Sequence, residues 1–310
     1  MREQPDATRR KLLKGLAGYS LSATLFPATT MADQSTTISR AIPGTAERLP
    51  AIGLGTWQSF DISARQDLAE AKQSLRLLAG QGYSVVDSSP MYGKSEAVVG
   101  QLASELGLEG KLFLATKVWT RGYDAGVRQM EESCRLMATR CMDLMQIHNL
   151  VDAAIHVKTL REWKEAGRIR YFGISHYHAS AYGEVERFMK AEHPDFLQIN
   201  YSLAEPESAE RLLPLARDLG IAVIVNRPFA EGELFNRVKG RALPGWAADF
   251  DAASWAQFFL KWILADSAVT CAVPGTRKPN YLQDNMAAAR GRLPDPALRA
   301  RMSTLMRFTP

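Results

Sequence analysis

Cysteine is scarce in this chain of 310 residues: three, at Cys134, Cys141 and Cys271, with no Cys-x-x-Cys pair. An odd number without close spacing excludes a disulfide framework and a zinc–thiolate site, and buried, unreactive thiols are expected instead. No metal site is expected elsewhere. Long apolar runs are also missing. Beyond the N-terminal segment no stretch of about 18 or more apolar residues occurs, so no helical membrane span is expected. The Gly-x-Gly-x-x-Gly turn of an open dinucleotide-binding sheet is absent too. Gly53-Leu-Gly55-Thr56-Trp57 supplies two glycines and lacks the third, which sets a doubly wound sheet second. Finally, the body lacks a charge excess. Of the net +5, residues 1–32 carry +3 through Arg2, Arg9, Arg10, Lys11 and Lys14 against Glu3 and Asp6. The remaining +2 gives no basic footprint for nucleic acid.

What is present at the N-terminus is an address. Arg9-Arg10-Lys11 precedes a modestly apolar run from Gly15 to Ala28, and Thr30-Met31-Ala32 offers small residues for cleavage. A charged start, apolar middle and small-residue end make residues 1–32 a signal peptide, and the paired arginines point to twin-arginine export. The export machinery is thus an expected partner and the periplasm the expected location, with the cytoplasm as the alternative. Residues 33–37 are polar and read as a linker to a single domain, 38–310.

In that domain, Ile38 to Pro50 alternates around the turn pair Pro43-Gly44 and reads as a β-hairpin. Eight apolar runs follow: 51–57, 84–87, 112–118, 142–148, 170–175, 196–201, 221–226 and 269–274. Helix-period segments lie between them, with ends marked by Gly82, Gly107, Gly167 and Gly220. Strands that are apolar throughout imply a parallel sheet buried on both faces. Eight βα units in about 250 residues predict an α/β fold, a (β/α)8 TIM barrel preceded by a hairpin. The long stretch from Pro228 to Asp251 reads as a lid.

Chemistry on such a barrel collects at the C-terminal strand ends. Here those ends break the apolar rule. Asp87 closes one run, Lys117 another and His148 a third, and Tyr92 stands five residues beyond Asp87. Taken singly, each has a plainer reading: a turn cap, a packed loop aromatic, a snorkelling amine, a hydrogen-bonded core imidazole. On one rim they form a proton-transfer site. Asp87 holds Lys117 charged, the ammonium is expected to lower the pKa of Tyr92, and Tyr92 acts as general acid. His148 orients a carbonyl oxygen or shares the relay. This suits carbonyl reduction with hydride from a cofactor.

Those residues carry a resemblance. Gly53-Leu-Gly-Thr-Trp57, Asp87-Ser-Ser-Pro-Met-Tyr-Gly93, Thr116-Lys117, Met142-Asp-Leu-Met-Gln-Ile-His148, Gly167-Arg-Ile-Arg-Tyr-Phe-Gly-Ile-Ser175, Gln198-Ile-Asn-Tyr201 and Pro274-Gly-Thr276 occur in order, and the chain resembles the aldo-keto reductases. The resemblance implies a catalytic tetrad of Asp87, Tyr92, Lys117 and His148, and an extended NADPH. It places Ser175, His176 and Gln198 at the nicotinamide carboxamide, with His176 where many members have Asn. Asn226 falls where many members have a stacking tyrosine, and Arg227 and Phe229 shape that wall. Gly55, Thr56 and Trp57 join the cofactor set. Gly275, Thr276, Arg277 and Lys278 are placed at the adenosine 2′-phosphate, and Asp284 and Asn285 at the adenine. Trp57, Met91 and Trp119 are candidate substrate walls.

The expected activity is NADPH-dependent reduction of a small aldehyde or ketone by a monomer or small homo-oligomer. The alternatives are an enzyme running chiefly as an oxidant of alcohols or sugars, and a nucleotide-binding redox sensor or scaffold without turnover.

Overall fold

A computed structural model describes residues 37–307 of the chain. The expected signal peptide and nearly all of the expected linker lie outside the described residues.

The expected hairpin forms from β1 (Ser39–Ala41) and β2 (Arg48–Pro50), antiparallel with Ser39 opposite Pro50. Gly44 turns it at a φ of +73°, a backbone angle that side-chained residues resist. Eight parallel strands then follow in unbroken neighbour order. They are β3 (Leu54–Gly55), β4 (Ser84–Asp87), β5 (Leu112–Val118), β6 (Met142–His148), β7 (Ile169–Ser175), β8 (Phe196–Asn200), β9 (Ala222–Asn226) and β10 (Val269–Ala272). The first and last meet. Ile52 bridges to Ala272 and Gly55 to Gly275, and Gly53 donates its N–H to the carbonyl of Ala272 at 2.9 Å. The sheet is therefore a barrel.

The glycine pair that failed as a dinucleotide turn has its reason at this seam. A Cβ on Gly53 would lie 2.7 Å from the Val85 carbonyl, and one on Gly55 2.7 Å from the Val273 carbonyl. At Gly55 only hydrogen fits where the two ends of the sheet close, and at Gly53 only hydrogen fits against the neighbouring β4. Regular pairing of β3 shrinks there to two residues, against the seven read from the sequence.

Helices α1 (Arg65–Ala79), α2 (Ser95–Leu106), α3 (Tyr123–Leu136), α4 (Ala153–Glu165), α5 (Tyr182–Glu192) and α6 (Ser208–Leu219) alternate with the strands. Gly107 and Gly220 end α2 and α6 in the left-handed conformation, as expected of a helix-terminating glycine. Alternate strand residues divide the core in two. Val85, Phe113, Leu144, Phe196 and Ile224 fill the barrel interior, and Ile42 and Leu49 of the hairpin pack onto them. Val86, Met145, Ile147 and Leu197 face outward against the helices. The hairpin is pinned below by Arg170, which pairs with Glu47 and, at 2.7 Å, with Asp143.

The expected lid is more ordered than its composition suggests. It holds the short helix α7 (Glu233–Arg237), and its Leu234, Val238, Ala247 and Phe250 are buried. Phe229 and Phe235 meet Phe259 of α8 (Trp255–Leu264) edge-on. Helices α9 (Pro279–Ala287) and α10 (Pro296–Arg307) complete the described chain.

Candidate active site

A cavity of about 640 Å³ opens at the C-terminal ends of the strands. Asp87, at the end of β4, lies at its base. Its carboxylate receives the Lys117 ammonium at 2.9 and 2.8 Å, and the Ser88 carbonyl takes a third Lys117 bond at 2.7 Å. Both side chains are almost wholly buried, 1% exposed for Lys117 and 5% for Asp87. Burial works against charge on the lysine, yet Asp87 and the Tyr92 phenol hold its pKa above the ordinary amine value. The pair is set by register: β4 to β6 are neighbours, with Asp87 opposite Ala115 and Lys117 opposite Gln146.

Tyr92 leaves the β4 loop so that its ring lies over this ammonium, 5.0 Å from Lys117 Nζ. His148, ending β6, meets that ring edge-on at 6.3 Å. Its Nδ1 lies 3.3 Å from Ser89 Oγ. Burial, with Lys117 nearby, pulls the imidazole pKa down to about 3. His148 is thus a neutral group at ordinary pH. The tyrosine corrects one expectation. Lys117 does favour phenolate, but burial of Tyr92 outweighs it, and the phenol pKa stands above its usual value. Tyr92 is therefore a firmly protonated phenol, not one poised to ionise.

Most of the other sequence candidates come to the same cavity. Gly55, Thr56, Trp57 and Met91 line one side; Ser175, His176, Gln198, Asn226 and Arg227 line another. Gly275, Thr276, Arg277 and Lys278 line a third. Thr56 Oγ1 binds the Asp87 carbonyl at 2.9 Å, so it also fixes the strand end. Trp119 stands at the rim, 40% exposed, its ring 6.5 Å from that of His148. Asp284 and Asn285 do not line the cavity. Asp284 is taken by Ser254 Oγ at 2.7 Å and Gln257 Nε2 at 2.6 Å, tying α9 to α8. Asn285 is buried. Arg277 is also engaged, its guanidinium held by Asp67 of α1 at 2.8 and 3.1 Å.

Some residues at the site are not foreseen by the sequence. Gln146 donates to Asp87 at 3.3 Å from the middle of β6; its signal is a polar side chain inside an apolar strand. Glu205 and Glu231 grip Arg227 from two loops, each at 3.0 Å. Tyr177 and Phe235 add aromatic wall. The thiols stand apart from the cavity. Cys271 is buried inside the barrel, whereas Cys134 and Cys141 are only partly buried, and burial pushes all three thiol pKa values up.

The sequence model of the Aldo/keto reductase family matches residues 51–300. The chain belongs to the aldo/keto reductase family. Membership makes it an NAD(P)H-dependent oxidoreductase. It is 28% identical over 248 residues to the methylglyoxal reductase YeaE of Escherichia coli, covering 77% of this chain and 85% of that one. To aldo-keto reductase str7 of Strobilurus tenacellus it is 29% identical over 250 residues, covering 67% and 73%. Among solved structures, an aldo-keto reductase from Klebsiella pneumoniae in complex with NADPH superposes with a TM-score of 0.74 at 25% identity, over 88% of this chain and 95% of that one.

The residues present fit a nicotinamide dinucleotide. Ser175 Oγ and Asn226 Oδ1 are buried without a partner beside the cavity. Such orphans carry a desolvation cost unless a ligand bonds them. Lys278 adds cationic charge for a phosphate at the cavity wall, beside an Arg277 whose charge is offset by Asp67 and Glu70.

Proposed function

We propose that this enzyme reduces a small aldehyde or ketone with NADPH, and that Tyr92 delivers the proton. The observation that carries this reading is the stack of the Tyr92 ring over a buried Lys117–Asp87 pair, with neutral His148 beside it. The bound nicotinamide supplies the hydride to the carbonyl carbon. Tyr92 gives its phenolic proton to the carbonyl oxygen as negative charge develops there, and an alcohol is released. Lys117 stabilises the phenolate left behind, and solvent returns the proton. Asp87 keeps Lys117 charged throughout. Neutral His148 is suited to hold the carbonyl oxygen by a hydrogen bond rather than to ionise. Trp57, Met91 and Trp119, each 40–43% exposed, offer apolar surface at the mouth to a substrate body.

The test is NADPH oxidation against a panel of aldehydes and ketones, with Tyr92→Phe as control. Turnover should fall by about 10²–10⁴-fold in the variant, with NADPH affinity retained. Wild-type protein that binds NADPH but turns over no carbonyl would overturn the reading.

We also propose twin-arginine export to the periplasm, on the strength of the Arg9-Arg10 segment alone. N-terminal sequencing of the fractionated protein decides it; an intact Met1 confined to the cytoplasm would sink it.

A further inference from the structure

Glu96 is a buried carboxyl that the proton transfer described above leaves unused. Its bonding starts from strand geometry, because successive residues of β5 point to opposite faces. Lys117 points into the barrel, where its Nζ lies 5.0 Å from the centre of the Tyr92 ring. Thr116, one residue earlier, points out to the helix layer, and its Oγ1 donates to Glu96 Oε1 at 2.5 Å. Glu96 stands in the first turn of α2, shortly after Tyr92 in the chain. A carboxyl so placed is costly without a partner. Burial raises its pKa, and the Thr116 hydroxyl and the Lys117 charge oppose that rise. The chain between the phenol and the carboxyl has no slack. The Tyr92 N–H bonds the Ser89 carbonyl at 3.0 Å, the Tyr92 carbonyl accepts the Ser95 N–H at 3.1 Å, and the Lys94 carbonyl accepts the Val98 N–H at 2.9 Å. Asp61 Oδ1, from the β3–α1 loop, takes the Lys94 N–H at 3.0 Å. Residues 92–96 therefore clasp β5 from both faces, a phenol over the inner ammonium and a carboxyl on the outer hydroxyl.

We propose that Glu96 is a positioning residue for proton transfer: through Thr116 it fixes the Tyr92 phenol over Lys117. With the bond made, the start of α2 and the end of β5 hold one spacing, and the turn that bears Tyr92 is held with them. Without it, the phenol loses its set height over the ammonium and its aim at a carbonyl oxygen. Neither Glu96 nor Thr116 lines the cavity, so both act only through Tyr92 and Lys117. What Glu96 contributes is an acceptor oxygen at a fixed place. Its charge is secondary, because Asp87 already supplies the carboxylate that holds Lys117 as an ammonium. The inference rests on the role of Tyr92 proposed above.

Single-turnover oxidation of NADPH tests it, with the panel carbonyl that the wild type reduces fastest. Thr116→Val keeps the shape and removes the hydroxyl. It should slow the turnover by about 10–100-fold, the usual cost of a small misplacement. Its dissociation constant for NADPH, read by quenching of tryptophan fluorescence, should stay within about twofold of wild type, which also checks the fold. Deuterated water should slow the variant by a larger factor than the wild type, because a displaced phenol makes proton transfer the slower event. Thr116→Ser restores the donor and should recover most of the rate. Glu96→Gln keeps the acceptor without the charge and should stay near wild type. Glu96→Ala should match Thr116→Val, and the double variant should be no slower than either, since each removes the same bond. Should Glu96→Ala fail to fold, Thr116→Val against Thr116→Ser carries the test alone. A wild-type rate in Thr116→Val, an unchanged isotope effect, a loss of NADPH affinity that matches the loss of rate, or losses that add in the double variant overturns the proposal. So does Glu96→Gln as slow as Glu96→Ala. Wild-type protein that reduces no carbonyl overturns the reading of Tyr92 itself.

Discussion

Replacing Asp87 by asparagine tests the site at its base. In the wild type Lys117 Nζ has three bonds, two to the Asp87 carboxylate and one to the Ser88 carbonyl. The substituted amide offers at most one oxygen. Either its NH2 faces the ammonium, or that NH2 turns toward Gln198 and meets another donor. The ammonium is left buried with Ser88 as its surviving good acceptor. Breaking a buried pair from one side costs about 3–5 kcal/mol. The lysine has one escape, which is to lose its proton. From an ordinary value of 10.5, deprotonation at about pH 7 costs about 5 kcal/mol, at ~1.36 kcal/mol per pKa unit. The two routes bracket the loss at about 3–5 kcal/mol.

The pH dependence separates this mechanism from a general loss of packing. In the wild type the folded pKa of Lys117 lies above 10.5. The stabilisation is then complete below that value and is lost only as pH rises through the folded pKa. In Asp87→Asn the folded pKa should fall below the ordinary lysine value of 10.5. Between the two values the unfolded chain binds more protons, so stability rises with pH. Guanidinium unfolding at about pH 7 and about pH 9 measures both. The variant should recover part of its loss at the higher pH, and the wild type should gain nothing from this group. The double variant Asp87→Leu with Lys117→Met should regain at least ~2 kcal/mol over the single variant, since it leaves no buried charge unpaired. A loss under ~1 kcal/mol at neutral pH, or parallel behaviour of both proteins between the two pH values, would refute the reasoning.

Burial and Lys117 hold His148 neutral, with a pKa of about 3, so any ionisation limb in turnover between about pH 5 and 8 should persist unmoved in His148→Gln; a limb near ~6.5 that this variant abolishes would contradict that environment. A Cβ on Gly100 of α2 would lie 2.0 Å from the Leu136 carbonyl. Gly100→Ala should therefore lower stability by about 1–3 kcal/mol, the usual cost of overpacking, and an unchanged thermal midpoint would show that α2 slides freely. Asp67→Asn removes the nearer of two carboxylates on Arg277 and leaves Glu70 at 3.5 Å, so binding of NADPH should tighten relative to NADH; weaker NADPH binding would mean that Asp67 aims Arg277 rather than offsetting it.

How much of this is legible in the sequence follows from what each residue depends on. Lys117 and His148 stand out because a group that is costly to bury ends an apolar run, and that cost is visible locally. The same logic locates Asp87, and eight such runs suffice for the barrel. Reading fails where the outcome sums over distant elements. The pKa of Tyr92 is set by burial against the pull of one ammonium, and only the folded site shows that burial wins. The resemblance puts Asp284 at the adenine end, but Ser254, 30 residues away in the chain, and Gln257 claim it. Arg277 reads as a free cation, but Asp67, 210 residues from it in sequence, holds it. Gly53 and Gly55 lack a motif partner because their partner is the far edge of the sheet. His176 and Asn226 are the instructive middle case. Their identities already mark a departure, yet the direction of each depends on backbone bonds that no spacing rule predicts. A residue's chemistry is local, whereas its free valence is what remains after its neighbours have been served; at this site the second quantity decides which atoms are left to meet a ligand.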